Sequence, residues 1–421
     1  ILFPAPLHAQ DDLPIDAAAI AGKKELPTYG IRNLFSREQI VSAFSGGDKG
    51  LEFDLARAAT LLDGTTVQPS SIYGTAHFGP YPFAAAQAAY AYKRFRGEAK
   101  LKEGRGLLKV GRFLEHGQNS EGWRDCGMVA IRLELFLSQP GADRPLGAYD
   151  TFASFRLRDG RFELLPVLIE GPMVCRTDSR RPGEATIAFL TDREEPAASV
   201  RAAGRSFPSP GGKRHEVRLS GLPPGPQTYQ VELAGRPGPP IPFTPPPAPG
   251  KGPVTFAFLG DSRQGYGGGQ NSFMGTNAAD MERLAALAYG QGAEFLVMGG
   301  DFIDGFSVSR EDMLTQLWAA KQALAGFWRR RAVFPLMGNH ETSIKALEST
   351  GRWATGVDRW PYGALSSEAI FAEAFSTPED APTPADPRLP PYRGSVYTVQ
   401  HGDVRLIVFN DQAEDITGGI R

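Results

Sequence analysis

Three apolar segments, each closed by a glycine and a polar cluster, limit this chain more than any other feature. Val254 to Leu259 runs into Gly260-Asp261-Ser262-Arg263. Glu294 to Met298 leads to Gly300-Asp301-Phe302-Ile303-Asp304-Gly305, and Ala332 to Met337 to Gly338-Asn339-His340-Glu341. Helical patterns separate them. One covers about residues 278–289, and a longer one carries Leu314, Leu317, Trp318, Leu324 and Trp328 at helical spacing. Strand and helix in alternation imply a parallel sheet, with the first strand buried and the helix tryptophans packed in the core. In such a sheet ligands bind beyond the carboxyl ends of the strands. Asp261, Asp301, Asp304, Asn339 and His340 are therefore expected to gather around one point. The glycine before each cluster lets the backbone turn sharply and approach closely.

Carboxylate oxygens, an amide oxygen and an imidazole together suit transition metals such as zinc, manganese or iron. Several carboxylates packed without compensation would repel one another and take up protons more readily. A bound pair of cations removes that cost. One Gly-Asp dipeptide would carry no weight; three clusters in this order, each after an apolar strand, do.

The rest of the chain divides by composition. Pro237, Pro239, Pro240, Pro242, Pro245, Pro246, Pro247 and Pro249 form a hinge just before Lys251, where proline density favours an extended spacer. Residues 166–248 read as all-β, with candidate strands at Thr186 to Leu190, His215 to Leu219 and Tyr229 to Leu233. Residues 13–165 combine helices with strands, and their role is open. Ser36 caps a first helix, and an alanine-rich helix is expected from Pro82 to Arg94. Strands follow at Gly106 to Val110, Met128 to Leu137 and Thr151 to Leu157, and Asp159-Gly160 makes a hairpin turn before Arg161 to Leu164. A last hairpin is expected where Val396 to Val399 and Val404 to Phe409 flank Gly402-Asp403.

Charge excludes some partners. The chain has 45 basic and 47 acidic residues, so it offers no electrostatic footprint for nucleic acid or for an anionic membrane. No stretch is long and apolar enough to span a bilayer. Residues 1–10 are apolar, end near the small residue Ala9 and precede Asp11-Asp12. They read as the tail of a secretory signal peptide, which implies a secreted or periplasmic protein. Cys126 and Cys175 show no metal-type spacing and are either one disulfide or two buried thiols. The run Gly265 to Gly269 lacks the lysine and spacing of a P-loop and reads as a loop beside the cleft.

The trio Gly260-Asp261, Gly300-Asp301-x-x-Asp304 and Gly338-Asn339-His340-Glu341 resembles the first three motifs of the calcineurin-like metallophosphoesterases. The stretch Val217 to Tyr229 resembles a fibronectin type III segment whose leucines plug the core and whose tyrosine anchors a strand. With Thr244 to Gly250 leading into the first catalytic strand, residues 166–421 are similar to purple acid phosphatases. The resemblance implies an α+β multidomain chain. A fibronectin III-like sandwich (166–248) precedes an α/β phosphoesterase domain (251–421) that is incomplete at its C-terminus. It also implies hydrolysis of small phosphate monoesters or diesters with two metal ions. Asp261 would bind the first metal, Asp301 would bridge, and Asn339 would bind the second. His340 would face the phosphate and protonate the leaving oxygen, with Glu341 orienting its ring.

Two departures matter. The first motif usually continues to a metal-binding histidine, and Arg263 stands there. Asp304 is either a substitute ligand to the first metal or a loop hydrogen-bonder. Arg263 either holds the substrate phosphate or neutralises the carboxylates. The family also supplies Gly-His and Gly-His-x-His downstream, but His401, the last histidine, is expected as a solvated turn residue. The chain therefore reads as a truncated copy of a catalytic parent. A non-catalytic exported binding protein with a degenerate metal domain is the alternative.

Overall fold

The computed structural model describes residues 33–55, 60–62, 64–81, 97–113, 127–250, 252–263, 276–305, 307, 310–342, 366–384 and 392–410. Residues 1–10, read from the sequence as a signal-peptide remnant, the helix expected from Pro82 to Arg94, Cys126 and the glycine run at 265–269 lie outside them. None of the described helices is long and apolar enough to cross a membrane.

Ser36 caps a helix as anticipated. Its side chain accepts the Gln39 N–H at 3.1 Å, and the Gln39 side chain accepts the Ser36 N–H at 2.7 Å. This reciprocal cap sustains a helix of only six residues, Arg37–Ser42. Behind it stands an antiparallel five-stranded sheet in the order Gly97–Leu101, Ile72–Pro80, Gly127–Leu137, Arg144–Arg158 and Arg161–Leu165. Asp159 and Gly160 make its last turn with φ of 50° and 78°, the left-handed pair that a two-residue hairpin requires.

Two further antiparallel sheets share one core. Arg214–Leu219, Ala185–Thr191 and Leu168–Cys175 form the first. Gln227–Leu233 is paired in the second with Ser199–Ala202, Arg236–Pro237 and Ile241–Phe243. Ile187, Val200, Leu219, Leu222 and Tyr229 are buried between them. Tyr229 packs edge-on against Phe243, and its hydroxyl donates to the Arg329 carbonyl at 2.8 Å. The tyrosine therefore ties this sandwich to the region that follows.

That region begins with β1 (Phe256–Leu259), followed by α1 (Ala278–Gly290), β2 (Phe295–Met298), α2 (Arg310–Trp328) and β3 (Val333–Pro335). The three strands are parallel, in the order β1-β2-β3. Next come α3 (Ser367–Ala374) and the hairpin β4 (Tyr397–His401) and β5 (Val404–Val408). Helix α2 is buried on nearly every side. Leu317, Leu324 and Trp328 enter the core, while Trp318 is half-buried and donates its indole N–H to the Ile169 carbonyl at 3.3 Å.

One charged pair lies inside this packing. Lys321 of α2 is 2.5 Å from Glu170, which also meets Arg37 at 3.0 Å. Burial alone would raise the Glu170 carboxyl, but Lys321 and Arg37 outweigh it and hold it at about 2. Three stretches far apart in sequence meet at this one carboxylate.

Two expectations fail. Strand β1 is not buried: Phe256 and Phe258 are 47% and 64% exposed. It lies at the edge of its sheet, and among the described residues only β2 pairs with it. His401 is not a solvated turn residue. It is buried, lies beside the Phe295 ring and meets Glu294 at 2.9 Å. Cys175 is a free thiol, pushed up to about 12 by burial.

Candidate metallophosphoesterase site

Asp261 and Asp301 leave the ends of adjacent parallel strands in the same backbone conformation, with φ of 52° and 53°. Left-handed φ is uncommon outside glycine, and aspartate is among the residues that tolerate it. The backbone turns at once, so each carboxylate is set at the strand end. The two loops are stitched together: the Asp261 N–H donates to the Gly300 carbonyl at 3.2 Å, and the Arg263 N–H donates to the Asp301 carbonyl at 2.9 Å.

The second and third loops exchange carboxylates. Asp301 Oδ1 accepts the His340 N–H at 3.0 Å, while Glu341 Oε2 accepts the Asp301 N–H at 2.8 Å. This approach needs glycine at two places. A Cβ on Gly300 would stand 2.7 Å from the Gly338 nitrogen, and one on Gly338 would stand 2.3 Å from Asp301 Oδ1. Gly260 meets nothing so close, so its predecessor role in the first cluster is not a steric one.

Glu341 has a different task from the one expected. Its Oε1 also accepts from the Phe302 and Ile303 N–H groups, at 3.0 and 3.3 Å, and its Oε2 accepts from Gly338 N–H at 2.7 Å. Both oxygens are committed to backbone, which leaves the carboxylate no part in orienting the imidazole. Burial lifts the Glu341 carboxyl to about 7 against the pull of these donors. The ring of His340 is held instead by the Asp304 backbone carbonyl, 2.7 Å from Nδ1. A carbonyl only accepts, so Nδ1 carries the hydrogen and Nε2 is the basic nitrogen of the neutral ring.

The metal-type residues are placed unevenly. Arg263 Nε lies 3.3 Å from Asp301 Oδ2 and 3.9 Å from Asp261 Oδ1. The Asp301 side chain is 12% exposed and that of Asp261 81%. Among the described residues, no three His, Cys, Asp or Glu side chains converge as a metal cage. Of the five residues expected around one point, Asp301 meets the His340 N–H and the Asn339 amide, the Asp304 carbonyl meets the His340 ring, and Arg263 reaches both Asp301 and Asp261. Mutually repelling carboxylates close up only around positive charge, and here the Arg263 guanidinium supplies it to two of them. The Asn339 amide stands 3.2 Å from both Asp301 oxygens. Without a cation the amide nitrogen must face that carboxylate; with one, the amide oxygen would turn inward and complete an oxygen donor set. Asp301 and Asn339 thus fit a hard or borderline cation.

Residues 254–413 match the family model of the calcineurin-like phosphoesterases. The chain carries a calcineurin-like phosphoesterase domain. Its β1–β3 sheet and the three strand-end loops lie inside the matched segment. No curated protein matches the chain. Among solved structures it is similar to the purple acid phosphatase PPD1 from yellow lupin (Lupinus luteus) seeds, at 13% identity and a TM-score of 0.42, over 85% of this chain and 62% of that one. It is also similar to PhoD, at 13% identity and a TM-score of 0.37, over 58% of this chain and 52% of that one. The chain thus spans less than two thirds of the length of either structure.

Proposed function

We propose that the phosphoesterase domain hydrolyses small phosphate monoesters or diesters with the help of two metal ions. The observation that carries this reading is the pairing of Asp261 and Asp301, both turned left-handed at the ends of neighbouring parallel strands. Asp261 would hold the first ion, with Asp304 as a candidate substitute for a missing histidine. Asp301 would bridge, and Asn339 would hold the second ion through its amide oxygen. The metal pair, when bound, would make a water nucleophilic near neutral pH and offset the phosphate charge. The protein's own part is positioning and proton transfer. His340, with Nδ1 tied to the Asp304 carbonyl, would take up a proton from solvent at Nε2 and, as the imidazolium, pass it to the leaving oxygen, returning to the neutral ring. Glu341 would hold the 301–303 loop in shape, and Arg263 would meet the phosphate.

We also read residues 166–248 as a fibronectin III-like domain that supports the phosphoesterase domain. The burial of Leu219, Leu222 and Tyr229 in one core supports this. Residues 1–10 are read as the remnant of an export signal. Fractionation of cells expressing the complete gene would test export; a cytoplasmic product would refute it.

The decisive assay is hydrolysis of a chromogenic phosphate ester by the full chain supplied with manganese, zinc or iron. Metal-dependent turnover that falls at least roughly a hundredfold in Asp301→Asn supports the reading. Equal turnover in wild type and variant overturns it.

A further inference from the structure

Arg263 occupies the position where a cation would be of most use to Asp301. Its Nε donates to Asp301 Oδ2 at 3.3 Å and is 3.9 Å from Asp261 Oδ1. The Asp301 carboxylate is nearly buried, so the ion pair is partly desolvated on that side. Arginine cannot lose its proton and cannot ligate a metal. Its backbone is fixed by the N–H bond to the Asp301 carbonyl and by a bridge to Thr276. Its side chain is 32% exposed.

We propose that Arg263 is a built-in competitor for the metal: its guanidinium and an incoming cation contend for the same oxygens of Asp301 and Asp261. This rests on the metal-dependent reading above and adds regulation to it. Metal occupancy then requires the guanidinium to leave Asp301, so the site discriminates by cation concentration. Asp301 carries most of the effect, because Asp261 is exposed and an exposed pair at that distance contributes little.

The test is calorimetric titration of manganese chloride, and in parallel of zinc and ferrous salts, into chelator-treated full chain, comparing wild type, Arg263→Gln and Arg263→Lys. Thermal melts verify that each variant is folded. Removing the guanidinium leaves Asp301 without its charged hydrogen-bond partner, so Arg263→Gln should bind manganese roughly tenfold more tightly. Arg263→Lys keeps the charge and should stay near wild type. Equal or weaker binding by Arg263→Gln, with wild type binding normally, overturns the competition while leaving the metal reading intact. If no variant takes up manganese, zinc or iron, the metal reading fails and the competition falls with it.

Discussion

Asp261 and Asp301 repeat one backbone conformation on neighbouring strands, within a degree in φ. A non-glycine residue in this region carries strain of order 1–2 kcal/mol. Such strain persists where the surroundings over-determine it. Asp261→Gly removes the strain together with a carboxylate that is 81% exposed. Denaturant unfolding of the metal-free protein should show Asp261→Gly at least as stable as wild type, by up to about 1 kcal/mol. The same variant should lose metal-dependent turnover. A clear loss of stability in Asp261→Gly would remove strain from the account.

Glu341 offers a contrast, since its work is structural. Four backbone N–H groups converge on its carboxylate. Glu341→Ala leaves them buried without an acceptor, at about 1–3 kcal/mol for each group that water does not reach. Unfolding free energy should drop by at least roughly 3 kcal/mol. Amide exchange at residues 301–303 should accelerate more than at the Gln227–Leu233 strand.

The Glu170 carboxyl sets an acid limit. Its folded value of about 2 lies below the ordinary 4.5 because Lys321 and Arg37 overcome its burial. The folded protein therefore binds fewer protons at this group than the unfolded chain does. The stabilisation is complete above about pH 4.5 and is lost as pH falls toward 2. Unfolding free energy measured across that window should decline in wild type and lose this component of the slope in Glu170→Gln. At neutral pH Glu170→Ala should cost about 3–5 kcal/mol, because Lys321 would remain buried without its partner.

Tyr229→Phe tests the join between the sandwich and α2. The ring packs on either way, and the hydroxyl bond to the Arg329 carbonyl is lost. A cost of about 1 kcal/mol in unfolding free energy is expected. No change would mean that the carbonyl is satisfied equally well without the tyrosine.

Much of the third region was legible in the sequence, because its strands and helices are local patterns. The β1-α1-β2-α2-β3 order follows from apolar runs and helical spacing, and the loop residues follow from their position at strand ends. The burial of β1 was not legible. A short apolar run has one appearance in a central strand and at an edge, and only pairing partners decide. His401 was misjudged for a similar reason: Gly402-Asp403 announces a turn, yet the contact with Glu294 spans more than a hundred residues. In the site, the residue types were readable but their partners were not. Glu341 next to His340 suggested a side-chain pair, whereas its carboxylate meets backbone N–H groups, three of them from another loop. The bond from His340 to the Asp304 carbonyl involves a backbone atom, which side-chain identity does not betray. Arg263 was visible as a departure, but its contact with Asp301 joins two strand-end loops and was not.

The edge position of β1 gives the two aspartates unequal footing. Asp301 follows a strand held on both flanks, by β1 and β3, and its loop is further pinned by Glu341. Asp261 follows a strand that the described residues pair on one flank only. Protection from hydrogen exchange should therefore run deeper at Val297 than at Ala257. A centre mounted this way has a rigid half and a compliant half. Under the proposed metal-dependent reading, the compliant half would shift to accept ions of different radius while the Asp301 carboxylate kept its place.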